Sequence, residues 1–227
     1  MRVSWIVITI LLLLVLWAPQ SRAANIALYD WAIHLDGTNY EKRDGNTLFS
    51  SFDDSAFDWG SGLGTFNATI IDPGTHTLIA FFDHEIVESI NTFFNEYGKV
   101  NGSPEHGQSW EIDEPGYDFG DIYNNVLNGI LDNTNGVPYT DYDDVSMGLG
   151  WDFTLDAGDI AKISFTVAEI APSLDFYLQH IDPDSNGGNG ASLYFSSSLN
   201  VIPEPTTMLL LGAGLIGPSG LSVGGRE

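Results

Sequence analysis

Ala161-Lys162-Ile163-Ser164-Phe165-Thr166-Val167-Ala168 alternates apolar with small or polar residues from end to end. A period of two marks a strand with one face on a core and the other toward solvent. Working outward, Leu174, Phe176 and Leu178 repeat the pattern, as do Leu193, Phe195, Ser197 and Leu199. Val145–Leu155 reads as a further strand, and Ala157-Gly158-Asp159 as the turn that joins it to the one quoted. Many short strands separated by turn residues predict a mainly β fold, an antiparallel β-sandwich of jelly-roll-like kind.

The N-terminal half is less regular. Ile26, Leu28, Trp31, Ile33 and Leu35 alternate with one slip of phase, which predicts a bulged strand ending at Asp36-Gly37. Phe66, Ala68 and Ile70, then Asp72-Pro73-Gly74, then the apolar run Thr77–Phe82, read as a hairpin. Ile86, Ile90, Phe93, Phe94 and Tyr97 fall at helical spacing, with Gly98 placed as a stop. Ile122, Val126, Ile130 and Leu131 suggest a second short helix, and Ser109–Asp113 a short strand.

The chain carries 31 acidic and 7 basic residues in 227, a formal charge of −24. Such a field repels nucleic acid and anionic lipid, and it attracts divalent cations. Acidic disordered segments lack large apolar side chains; this body has them throughout, enough for one cored domain at residues 24–200. Cysteine is absent. Packing, and bound ions, must then replace disulfides outside the cell.

Both ends read as transport signals. Arg2 precedes the apolar run Ile6–Trp17, and Ser21-Arg22-Ala23 offers small residues at a cleavage position. Residues 1–23 are thus expected to be a secretory signal peptide. At the other end Pro203-Glu204-Pro205 precedes the apolar run Met208–Ile216, with Arg226 near the terminus. This tail, residues 201–227, resembles the PEP-CTERM sorting signal of Gram-negative bacteria: a Pro-Glu-Pro motif, a hydrophobic helix and a basic end. The resemblance implies recognition by an exosortase, a membrane protease. It also implies contact with the membrane through the tail before processing, and association with exopolysaccharide or biofilm matrix. Gly217 and Pro218 interrupt the apolar run, and one Arg stands where the signal has several basic residues. The stretch 148–201 also resembles the C-terminal half of sandwich bodies that carry this signal.

Three clusters are candidates for chemistry. Asp182, Asp184 and Asn186, followed by Gly187, alternate oxygen ligands before a Gly turn, a spacing suited to Ca²⁺. Leu193 stands where an EF-hand places its bidentate Glu, and Asp-Pro and Asn-Gly also serve as ordinary turn chemistry. Glu111 and Asp113 would share one face of a strand. A retaining glycosidase sets two carboxyls about 5–5.5 Å apart. The segment resembles the Glu-Ile-Asp strand of jelly-roll β-glucan hydrolases, but Glu114 falls on the opposite face and Pro115 ends the strand. Tyr139 and Tyr142, beside Asp141, Asp143 and Asp144, are candidate sugar contacts. Trp31 and Trp151 read as core. His84-Glu85 begins a zinc-protease motif without its second His. The remaining histidines read as surface or locally bonded groups, with His180 adjoining the Asp182 loop.

The expectation is an exported, non-enzymatic structural or adhesive protein. Its place would be the envelope, outer surface or extracellular matrix of a Gram-negative bacterium. The alternatives are a carbohydrate-binding module and a glycoside hydrolase using Glu111 and Asp113.

Overall fold

A computed structural model describes residues 25–42, 50–87, 93–116, 119–184 and 190–204. The strands are β1 (Asn25–Leu35), β2 (Thr38–Glu41), β3 (Phe52–Asp58), β4 (Leu63–Ile70), β5 (Gly74–Val87), β6 (Tyr97–Asn101), β7 (Gln108–Asp113), β8 (Ser146–Leu155), β9 (Ile160–Ala168), β10 (Tyr177–Asp182) and β11 (Ala191–Ile202). Among the described residues one helix, α1 (Ile122–Leu127), lies between β7 and β8. The strands form two antiparallel sheets, ordered β2-β1-β5-β8-β7 and β3-β4-β9-β11-β10-β6. This is the two-sheet sandwich that the alternating strands predict.

The opening octapeptide is β9, with Ala161, Ile163, Phe165 and Val167 all buried. They meet Leu78, Ala80, Phe82, Leu149 and Trp151 of the facing sheet in one core. Phe82 sits at its centre, 5.2 Å from Phe57 in a stacked arrangement and 5.2 Å from Phe195 edge to face. The outer face of the first sheet is covered as well. There Ile122, Tyr123 and Val126 of α1 pack on Ala32, Ile79 and Phe81. β5 is therefore buried on both faces, which explains why Leu78–Phe82 is continuously apolar and not alternating.

The phase slip in β1 is a bulge between Leu28 and Asp30. Asp36 (φ 48°) and Gly37 (φ 81°) close a two-residue turn into β2, with both residues in the left-handed region that such hairpins need. Trp151 is buried in the core and Trp31 packs half-buried against it.

Three expectations change. Asp72-Pro73-Gly74 does not close a hairpin. β4 pairs with β3 and β9, whereas β5 pairs with β1 and β8, so the turn passes the chain from one sheet to the other. Turn residues dictate a reversal, not which sheet receives the next strand. Glu85–Val87 ends β5 and Tyr97-Gly98 begins β6, so neither end of the predicted 85–97 helix is helical; residues 88–92 lie outside the described set. Helical spacing there arises where a two-face-buried strand end is followed by bends at Phe93–Asn95. Finally, His180 is buried and not at the surface; His34 and His76 are buried but locally hydrogen-bonded as expected, to Asn39 and the Gly37 N–H and to Asp36 and the Asp72 carbonyl, and His106 is exposed. β11 also runs through Val201 and Ile202, paired with Ala161 and Ile160, into the segment read as tail. Among the described residues no helix is long and apolar enough to cross a membrane. The apolar runs 6–17 and 208–216 lie outside those residues.

Candidate functional site

The apolar run of β5 continues directly into Asp83-His84-Glu85. Period two keeps Asp83 and Glu85 on the α1 side with Ile79 and Phe81, and turns His84 inward with Phe82 and Ile86. All three are buried. Asp83 lies opposite Ser146 of β8. The pairing ends there, and beyond it the Asp144 charge is the one felt most by Glu85. Glu96 bridges to Asp143, and its main-chain oxygen accepts the Asp143 N–H at 3.1 Å, so it too reaches this corner. On the second sheet Leu178, His180 and Asp182 point inward in phase, and all are buried.

These groups meet. His180 Nε2 lies 2.6 Å from Glu96 Oε2, with both side chains at 0 % exposure. Glu85 Oε2, Glu96 Oε1, Asp144 Oδ1 and His180 Nδ1 are buried atoms without a hydrogen-bond partner. Burial, the largest influence, pushes Glu85 up to about 8, with the charges of Asp144 and Glu96 adding to it. Burial and neighbouring acids hold Asp83 and Glu96 well above the usual carboxylate range, and raise Asp144. Burial acts oppositely on the imidazoles, lowering His180 to about 4 and His84 to about 3. Burial thus pushes both partners of the Glu96–His180 contact toward their neutral forms. His84 Nε2 rests 3.2 Å from Gly62 O. Only a glycine allows this approach, since a Cβ on Gly62 would stand 2.2 Å from that nitrogen.

A second acidic group sits beneath α1. Glu111, Asp121 and Asp132 each offer an oxygen within 4.8 Å of the others, the one such trio among the described residues. Glu111 is fully buried, and both of its oxygens have donors: Asn125 Nδ2 at 3.0 Å and the Asp132 N–H at 3.2 Å. Burial nevertheless raises it to about 7. Asp113 Oδ2 accepts the Asp121 N–H at 2.8 Å. The strand does place Glu111 and Asp113 on one face, but each carboxylate is tied to the helix and loops that cover it.

The other predicted residues are spread around the body. Asp182 is buried beside His180 and Glu96, whereas Asp184 is exposed. Asn95 Nδ2 donates to Asp184 Oδ1, and its contact with Asp182 Oδ1 is 3.5 Å. Asn186 lies outside the described residues. Tyr139 and Tyr142 are brought together with Tyr97, with ring centroids 5.1–5.6 Å apart and all edge to face. Tyr139 remains 65 % exposed. Pro203 is exposed, and the Glu204 N–H donates to Asp159 Oδ1 at 3.1 Å. Pro205 lies outside the described residues.

No motif in the sequence marks Asp83, Glu96 or Asp144 as site residues. Two signals were present. Asp83 and Glu85 directly extend a strand segment too apolar to have an exposed face. His180 and Asp182 continue the buried phase of Phe176 and Leu178.

Residues 201–226 match the family model of the PEP-CTERM protein-sorting motif. The motif is recognised by exosortase, a membrane protein, and it makes this chain an exosortase-targeted secreted protein, exported and sorted to the surface as in Gram-negative bacteria. No curated protein and no solved structure matched the chain.

Proposed function

We propose that this exported chain is a non-enzymatic structural or adhesive protein of the extracellular matrix, associated with exopolysaccharide. The observation that carries the reading is the sorting motif, which follows the last strand of a two-sheet body almost without a spacer. The bound state of the two candidate catalytic carboxylates supports the non-enzymatic part. Glu111 is sealed under α1 and Asp113 holds a backbone amide. A general acid needs a carboxyl that reaches its substrate. Surface charge supports the matrix part, because acidic protein and acidic polysaccharide can be bridged by divalent cations.

The exposed Tyr139, with Tyr142 and Tyr97 behind it, favours one second reading, a sugar-binding module. An exposed ring backed by others offers a rigid apolar face to a sugar ring. One experiment separates the readings. Native matrix and culture medium are fractionated from cells carrying the wild-type chain or a Pro203→Ala/Pro205→Ala variant, and the purified protein is tested on a glycan array with product analysis. Retention in the matrix that depends on the motif, without glycan turnover, is the expected result. Array binding lost in Tyr139→Ala selects the sugar-binding module. Turnover abolished by Glu111→Gln would establish a glycosidase.

A further inference from the structure

The corner where β5, β8, β6 and β10 converge concentrates carboxylates that the protein itself does not neutralise. Glu85 and Glu96 are more than nine-tenths buried, at 7 % and 0 % exposure. Each keeps a buried oxygen without a hydrogen-bond partner, Oε2 and Oε1 respectively, and Asp144 Oδ1 is a third. Asp144 and Glu96 are the charges felt most by Glu85, and Asp144 is the charge felt most by Glu96. Among the described residues no Lys or Arg is buried at this corner: Lys42, Lys99 and Lys162 are all exposed, although Lys99 belongs to β6 itself. Buried carboxylates are tolerated when paired with a cation or when protonated. An exported protein meets abundant divalent cation.

We propose that Glu85, Glu96 and Asp144 bind a divalent cation of the calcium class. Hard oxygen donors without thiolates suit Ca²⁺ or Mg²⁺, and the flexible, many-oxygen shell of Ca²⁺ suits a corner where the donors come from separate strands. These three are not among the carboxyl groups whose oxygens already lie within 4.8 Å of one another, so binding requires their side chains to close on the cation. His180 acts as a positioning residue. Its Nε2 lies 2.6 Å from Glu96 Oε2, which leaves Oε1 for the ion. The site clips the two sheets at their open end, a role that disulfides fill in other secreted domains. The Glu111 trio is the weaker candidate because both Glu111 oxygens already have protein donors. The proposal does not depend on the matrix reading.

The test is calorimetric titration of the chelator-treated full chain with CaCl₂ at neutral pH, with melting followed in parallel. Binding and a raised melting temperature are expected. Asp144→Asn, which alters a half-buried and therefore tolerant position, should weaken affinity by roughly tenfold or more, as should Glu96→Gln. The double variant Asp121→Asn/Asp132→Asn should bind as the wild type does. Should Glu96→Gln fail to fold, Asp144→Asn alone decides. Absence of heat and of a melting shift at millimolar Ca²⁺ would overturn the proposal. So would affinity kept in Asp144→Asn but lost in the Asp121/Asp132 variant, which would move the ion to Glu111.

Discussion

Replacing Glu111 by Ala tests whether this carboxylate is a structural tie. Two donors lose their acceptor, Asn125 Nδ2 and the Asp132 N–H. Asn125 is half-buried and Asp132 exposed, so water reaches both in part. The low end of the range for an unmet donor applies, about 1 kcal/mol each. Deleting the buried Cγ methylene adds about 0.8 kcal/mol. The expected loss is therefore about 3 kcal/mol, measured by urea denaturation at pH 6 in EDTA with an unchanged m-value. The pH dependence has a definite sign. Burial raises the folded pKa of Glu111 to about 7, above the unfolded value. Its neutral form therefore contributes stability in full below the unfolded pKa, and that contribution fades as pH rises through about 7. The alanine variant lacks this group, so its deficit should shrink at pH 8.5. A loss under about 1 kcal/mol at pH 6 is what a surface substitution gives. That result, or a deficit that grows with pH, would refute the structural account.

Phe82→Ala should cost about 4 kcal/mol in the same assay, because it empties the centre of the core and removes three ring contacts; a cost below about 2 kcal/mol would mean that the sheets close over the gap. His76 is expected to titrate above its ordinary 6.5 in an NMR pH series. Burial alone would lower it, but Asp36 Oδ2 at 2.7 Å and the Asp72 carbonyl at 2.8 Å outweigh burial. The charged pair then stabilises the fold fully below the unfolded pKa, and that contribution is lost as pH rises through the folded value. Asp36→Asn should bring the midpoint down, and a wild-type midpoint below 6.5 contradicts the pairing.

Local patterns were legible wherever one physical cause acted alone. The alternation of β9 and β11, the bulge in β1, the Asp36-Gly37 turn and the Pro-Glu-Pro tail all follow from side-chain period, backbone freedom or a short motif. Reading went astray where two environments overlap. β5 is buried on both faces, so its end lost the period of two and took on helical spacing. Asp72-Pro73-Gly74 predicts a hairpin that does not form because partner choice is non-local: β5 joins strands that begin far away in the chain.

The sequence by itself determined the class of fold, the acidic character and the sorting tail, because each is written in neighbouring residues. Only the tertiary structure decided that Glu85, Glu96, Asp144 and His180 share one corner. They arrive from β5, the bends before β6, the approach to β8 and β10, and no spacing along the chain records that meeting. It also decided that Glu111 is a buried tie, because what covers a side chain is supplied by helix and loop residues that fold back over the strand.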